Sequence, residues 1–178
     1  MWRIKSLRQI GRIFIVVGIL LCFYPTIAKM FVRENNCSEV GTVIGRIEIP
    51  KIDVSLVVYE GTDAKVLEVG VGHVVETGFP GKKDGHCILA GHRGLPRADL
   101  FLNLDKLELG DVFYIVRQEQ LLVYEVCDIR VIKPEETSRL FTASDKDLVS
   151  LVTCTPYGIN THRLVVTGEI VVGKEGDK

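Results

Sequence analysis

The sequence has no C-x-x-C pair, no internal repeat, no low-complexity tract and, before residue 30, no acidic side chain. Its five cysteines, Cys22, Cys37, Cys87, Cys127 and Cys154, are odd in number and irregularly spaced. That pattern argues against a disulfide framework or a zinc ribbon. A surplus of positive charge is also missing. The formal net charge is -1, and once the amino-terminal Arg3, Lys5, Arg8, Arg12 and Lys29 are set aside, 17 basic residues face 23 acidic ones. Such a body lacks the concentrated positive surface that phosphate-backbone binding needs, so nucleic acid is not expected as a partner. Wholesale disorder is disfavoured as well, because 47% of the residues are apolar and only 25% charged. The 178 residues leave room for one domain and a short appendage.

The appendage comes first. Between Arg12 and Lys29 runs "IFIVVGILLCFYPTIA", without a single charge. Lys29 can snorkel, and Met30, Phe31 and Val32 lengthen the apolar stretch toward the roughly 20 residues that a membrane helix needs. The basic residues before it predict a cytoplasmic segment at 1–12, a transmembrane signal-anchor at 13–32 and a body outside the cell membrane. A cleaved signal peptide is the rival; only Thr26-Ile27-Ala28 offers small residues for a cut, which favours the uncleaved anchor. Residues 33–43 read as a tether, 44–172 as the folded body and 173–178 as a polar tail.

Strand signals fill the body. "IGRIEIP" alternates Arg46 and Glu48 with Ile47 and Ile49, and "VSLVVYEG" follows a short polar break. Thr62-Asp63 can cap a short helix carrying Val66, Leu67 and Val69, which Gly70 stops. "HCILAGH" reads as a third strand, and "LPRADLFLNLDKLELGD" as a helical or irregular crossover. "VFYIVRQ" and "LLVYEVCDIRVIKP" form a hairpin about Glu119-Gln120, and "LVSLVTC" and "RLVVTGEIVV" complete the set. Many short β-branched strands joined by brief helical links predict a mostly β, closed or sandwiched architecture. Cys87 and Cys127, in apolar segments, read as small core hydrophobes.

One cysteine stands apart. In "LVTCTPYGINTHRLVV", Cys154 ends one strand and Arg163 begins the next, with Pro156, Gly158 and Asn160 supplying turn chemistry between them. His162 and Arg163 must point to opposite faces, so only one can join Cys154, and Arg163 is the better complement to an oxyanion. A thiol nucleophile also needs a proton carrier. His92, in "ILAGHRG", closes an apolar strand between Gly91 and Gly94, where backbone can approach a ligand. His73 reads as a loop residue, His86 as exposed and His162 as orienting or solvent-facing. A metal site from His86, His92 and Cys154 lacks a fourth ligand and a motif. The competing plain reading is a buried cysteine, a satisfied histidine and a surface arginine.

"LVTCTPYGINTHRLVV" and "ILAGHRGLP" together resemble the sortases, most closely the class C, pilus-assembling branch, over about Ile44 to Ile170. The resemblance implies a closed eight-stranded β-barrel with short helices and a membrane anchor. It puts the nucleophile on Cys154, the acid/base on His92 and the oxyanion-stabilising arginine on Arg163. The implied chemistry cleaves an LPxTG-like sorting signal between Thr and Gly, holds the acyl group as a thioester and passes it to an amine. That amine is a pilin lysine or, alternatively, a cell-wall peptide amine; a non-catalytic surface binding module is the third reading. No metal or organic cofactor is required. Ala90 and Thr153 are candidate substrate-binding residues beside His92 and Cys154. The tether lacks the Asp-Pro-aromatic lid common in class C enzymes, and no second apolar run follows the body, so an open site is expected.

Overall fold

The structure, a computed structural model, describes residues 40–83, 85–95, 99–140 and 145–172. The expected segment 1–12, the anchor 13–32, most of the tether and the tail 173–178 lie outside the described residues. Among the described residues, no helix is long and apolar enough to cross a membrane.

Period-two patterning makes the strands. In β1 (Val43–Ile49), Ile47 and Ile49 are fully buried while Arg46 and Glu48 face out. β2 (Val54–Glu60) follows a single 3₁₀ turn at Pro50–Ile52, where proline's fixed φ suits the first position. Asp63 takes the N-cap position of a one-turn helix, α1 (Ala64–Leu67), although its side chain makes no capping bond. The Gly70 N–H donates to the Val66 carbonyl at 3.0 Å and ends the turn. β3 (Val71–His73) and β4 (His86–Ala90) come next. A 3₁₀ turn at Leu104–Lys106 lies in the crossover to β5 (Val112–Arg117). β5 joins β6 (Gln120–Ile132) through Gln118-Glu119, both at positive φ (49° and 65°), a turn whose twist matches that of a hairpin. A 3₁₀ segment at Pro134–Leu140 precedes β7 (Leu148–Thr155) and β8 (His162–Val172).

The eight strands close into a barrel in the order β1-β2-β3-β4-β7-β8-β6-β5. Closure leaves no open edge for another chain to pair with. Two seams are parallel, β2 with β3 and β4 with β7; the others are antiparallel. Leu89, Phe113, Ile115, Tyr124, Leu151 and Val166 fill the interior, with Phe113 and Tyr124 stacked at 5.4 Å. Burying each such side chain contributes about 1.5–3 kcal/mol. Their strand neighbours Ile88, Val152 and Val165 belong to a second cluster on the outer face, packed against Leu140 of the 3₁₀ segment.

The strand that brings His73 into the barrel is missing from the sequence reading. His73 is not a loop residue: it ends β3, is fully buried and stacks on Phe79 at 4.8 Å. Its Nδ1 meets Glu60 at 3.3 Å, and its Nε2 meets the Gly78 carbonyl at 3.0 Å. Three residues are too few to display an alternation. His86 is likewise half-buried rather than exposed, its Nε2 2.8 Å from the Ser150 hydroxyl across the parallel seam. Cys87 is fully buried as expected, but Cys127 is exposed. A register shift between Val126 and Asp128 adds a residue to β6 there, and the alternation loses phase.

Candidate active site

Cys154 and Arg163 are cross-strand partners in the β7–β8 hairpin, and Thr155 pairs with His162. Directly opposed residues project to one face with their Cβ atoms roughly 5 Å apart. Cys154 and Arg163 therefore share a face, and His162 lies on the other. Cys154 is two residues beyond Val152, so this is the outer face of the barrel. The loop between the strands turns at Gly158 (φ 79°) and Asn160 (φ 61°). The Arg163 Nη1 donates to the carbonyls of Asn160 (3.2 Å) and His162 (3.0 Å), so its stem is folded against the hairpin loop.

The parallel seam brings His92 to the thiol. Ala90 lies opposite Val152, and both strands run the same way, so Gly91-His92-Arg93 continues beside Thr153-Cys154-Thr155. The Gly91 N–H donates to the Val152 carbonyl (3.0 Å), and the Thr153 hydroxyl donates to the Gly91 carbonyl (2.7 Å). The Phe101 N–H donates to the His92 carbonyl at 3.1 Å. Gly91 must be small here, because a Cβ would stand 2.8 Å from the Phe101 ring. His92 and Cys154, both half-buried, line one cavity of about 210 Å³ together with Arg93, Gly94, Tyr157, Gly158 and Asn160. Such a space holds a thiol, an imidazole and part of an extended peptide, an arrangement suited to thiol acyl transfer.

Arg163 does not border that cavity, although it stands opposite Cys154 on the same face. Ala90 and Thr153 do not border it either. Ala90 sits within β4 between Gly72 and Val152, and Thr153 is 2% exposed with its hydroxyl committed to Gly91. His162 Nδ1 bonds the Thr161 hydroxyl at 2.9 Å. Among the described residues, no three His, Cys, Asp or Glu side chains converge on a metal position. Cys87 differs from Cys154 in that full burial pushes its thiol well above the ordinary range. Sequence reasoning passed over Arg93. It neighbours His92 in the chain and is buried, and nothing in a lone charged residue of "GHRGLP" signals that it folds inward.

Comparison with known proteins bears on this geometry. A family model described as Sortase domain matches residues 47–171. "Sortase D" of Bacillus subtilis (strain 168) is 32% identical over 136 residues, covering 75% of this chain and 66% of that protein. The chain thus spans a little under two thirds of that relative. Among solved structures, sortase C-1 of Actinomyces oris is 52% identical with a TM-score of 0.71, covering 75% of this chain and 77% of that one. Group B Streptococcus Pilus Island 1 Sortase C2 is 41% identical with a TM-score of 0.72 and the same coverages, 75% and 77%.

Proposed function

The chain belongs to the sortase family, whose members are cysteine transpeptidases of sorting signals, and from that premise we propose that it is a transpeptidase using Cys154, His92 and Arg163. One observation carries the reading: His92 and Cys154 line a single solvent-open cavity, with Arg163 in register across from the thiol. The substrate is an LPxTG-like signal. The Cys154 thiolate attacks the Thr carbonyl carbon, and Arg163, swung from the loop carbonyls it now contacts, donates to the developing oxyanion. The carbon–nitrogen bond to Gly breaks as His92 protonates the leaving amine. An acceptor amine, deprotonated by His92, then attacks the thioester and expels the thiolate, so the new amide forms without a net redox change.

The acceptor we favour is a pilin lysine, on the strength of the likeness to sortase C-1 of Actinomyces oris and to the Pilus Island 1 enzyme. The apolar run at 13–32 would anchor the chain in the cell membrane with the barrel outside, beside exported substrates. Two measurements test this function. Mass spectrometry of the chain mixed with a sorting-signal peptide should find an acyl adduct that vanishes in Cys154→Ala; its absence from the wild type refutes the transpeptidase. Offering the acyl-enzyme a pilin lysine and a cell-wall peptide amine should give pilin–pilin products; adducts of the wall peptide alone refute the pilus role.

A further inference from the structure

Arg93 is a charged residue with only 8% of its surface exposed, and its guanidinium reaches three ways. The Nε donates to the Leu102 carbonyl at 3.1 Å, and Nη2 pairs with the Asp105 carboxylate at 2.8 Å. Nη1 donates to the Thr155 hydroxyl at 2.9 Å and approaches the Cys154 carbonyl at 3.5 Å. One planar fork therefore ties the crossover between β4 and β5 to the strand end that carries the thiol.

We propose that Arg93 is a positioning residue that sets the spacing of His92 from Cys154, an inference that rests on those two being the reacting pair. His92 lies beyond the last residue of β4, outside the ladder. On its amino side, Gly91 is bonded to Val152 and Thr153. On its carboxyl side, the tie to β7 is the Arg93 side chain, through Thr155. With both ties in place, the residue carrying the imidazole is held at each neighbour against the strand carrying the sulfur. With the second removed, His92 pivots about Gly91, a residue of wide backbone freedom. A lysine would bring the charge but only a point donor, without a fork to bridge Leu102, Thr155 and Asp105 at once. Asp105 completes the device by balancing a cation that burial would otherwise penalise.

The experiment uses the full chain and three variants, Arg93→Lys, Thr155→Val and their double. It reads kcat and KM with a sorting-signal peptide and an amine, the pH profile of Cys154 alkylation by iodoacetamide, and thermal unfolding. Arg93→Lys should lower kcat about 10- to 100-fold with KM changed no more than about twofold, and should alter the alkylation profile. Thr155→Val should act in the same direction, and the double variant should be no worse than Arg93→Lys alone, because both cut one tie. A wild-type kcat and alkylation profile in Arg93→Lys, whatever its melting temperature, overturns the proposal. So does a double variant that loses the full product of the single effects. Should Arg93→Lys fail to fold, Thr155→Val decides: an unchanged kcat and profile overturn the proposal. A wild-type chain that forms no thioester refutes the underlying pair instead, a result distinct from all of these.

Discussion

β7 has a polar group at each end, and the two ends behave in opposite ways. At its start, Asp147 accepts a hydrogen bond from the Tyr124 hydroxyl (3.0 Å), which itself accepts one from the Gly81 N–H (2.9 Å). Cys87, fully buried, pairs with Val149 nearby. These groups satisfy one another, and burial raises both the Cys87 thiol and the Tyr124 hydroxyl away from ionisation. At its finish, Cys154 opens onto a cavity with His92. One strand thus carries a closed polar knot that stabilises the fold and an open thiol able to react. Burial of a polar side chain marks structure when its partners are all internal, and function when one direction is left to solvent.

Several substitutions would sharpen or break that contrast. The largest effect belongs to the open end: Arg163→Ala should lower kcat for peptide cleavage about 10²- to 10³-fold, as loss of an oxyanion donor does, while the melting temperature barely moves. A steady-state assay returning a near-normal kcat would remove Arg163 from the chemistry. Next comes labelling. Iodoacetamide should modify Cys154 in the folded chain and leave Cys87 untouched until denaturant is added, as peptide mapping would read; early modification of Cys87 would show the closed end is not closed. At that end, Tyr124→Phe strips Asp147 and Gly81 of a partner and should cost about 1–3 kcal/mol in denaturant unfolding, with kcat retained.

The smallest effect depends on pH. Burial raises the Asp147 carboxyl from the ordinary 3.8 to about 6. The folded chain then keeps a proton that the unfolded chain has released, so between about pH 4 and 6 folding takes up a proton and stability falls as pH rises. Below that window both states are protonated and the penalty is absent; above it the penalty is complete, about 1–2 kcal/mol after allowance for nearby solvent. Asp147→Asn should flatten this slope in unfolding curves measured across the window. An unchanged slope would assign it to other groups.

Local features were legible in the sequence and spatial ones were not. Ile47 and Ile49 against Arg46 and Glu48 announce a strand, and the residues between Cys154 and Arg163 announce a hairpin, because both signals lie within a few positions. The alternation argument for Arg163 over His162 also needs only neighbours, and the pairing of Cys154 with Arg163 agrees with it. Cys127 misled because a one-residue bulge shifts every later side chain to the other face, and no local cue in "YEVCDIR" marks the extra residue. Arg93 was invisible for a different reason. Its partners Leu102, Asp105 and Thr155 come from segments that only the closed barrel brings together. The nearness of His92 to Cys154 had no local signal either; resemblance supplied it.

The parallel seam between β4 and β7 has a consequence for the life of the molecule. Parallel neighbours cannot be made by a tight turn, so two antiparallel strands and the long way round the cylinder must be completed before the seam can zip. Contacts so distant along the chain form slowly and together. A half-folded copy carries a sulfhydryl with no imidazole in reach, and its capacity to ligate arrives in one step, when the last gap shuts.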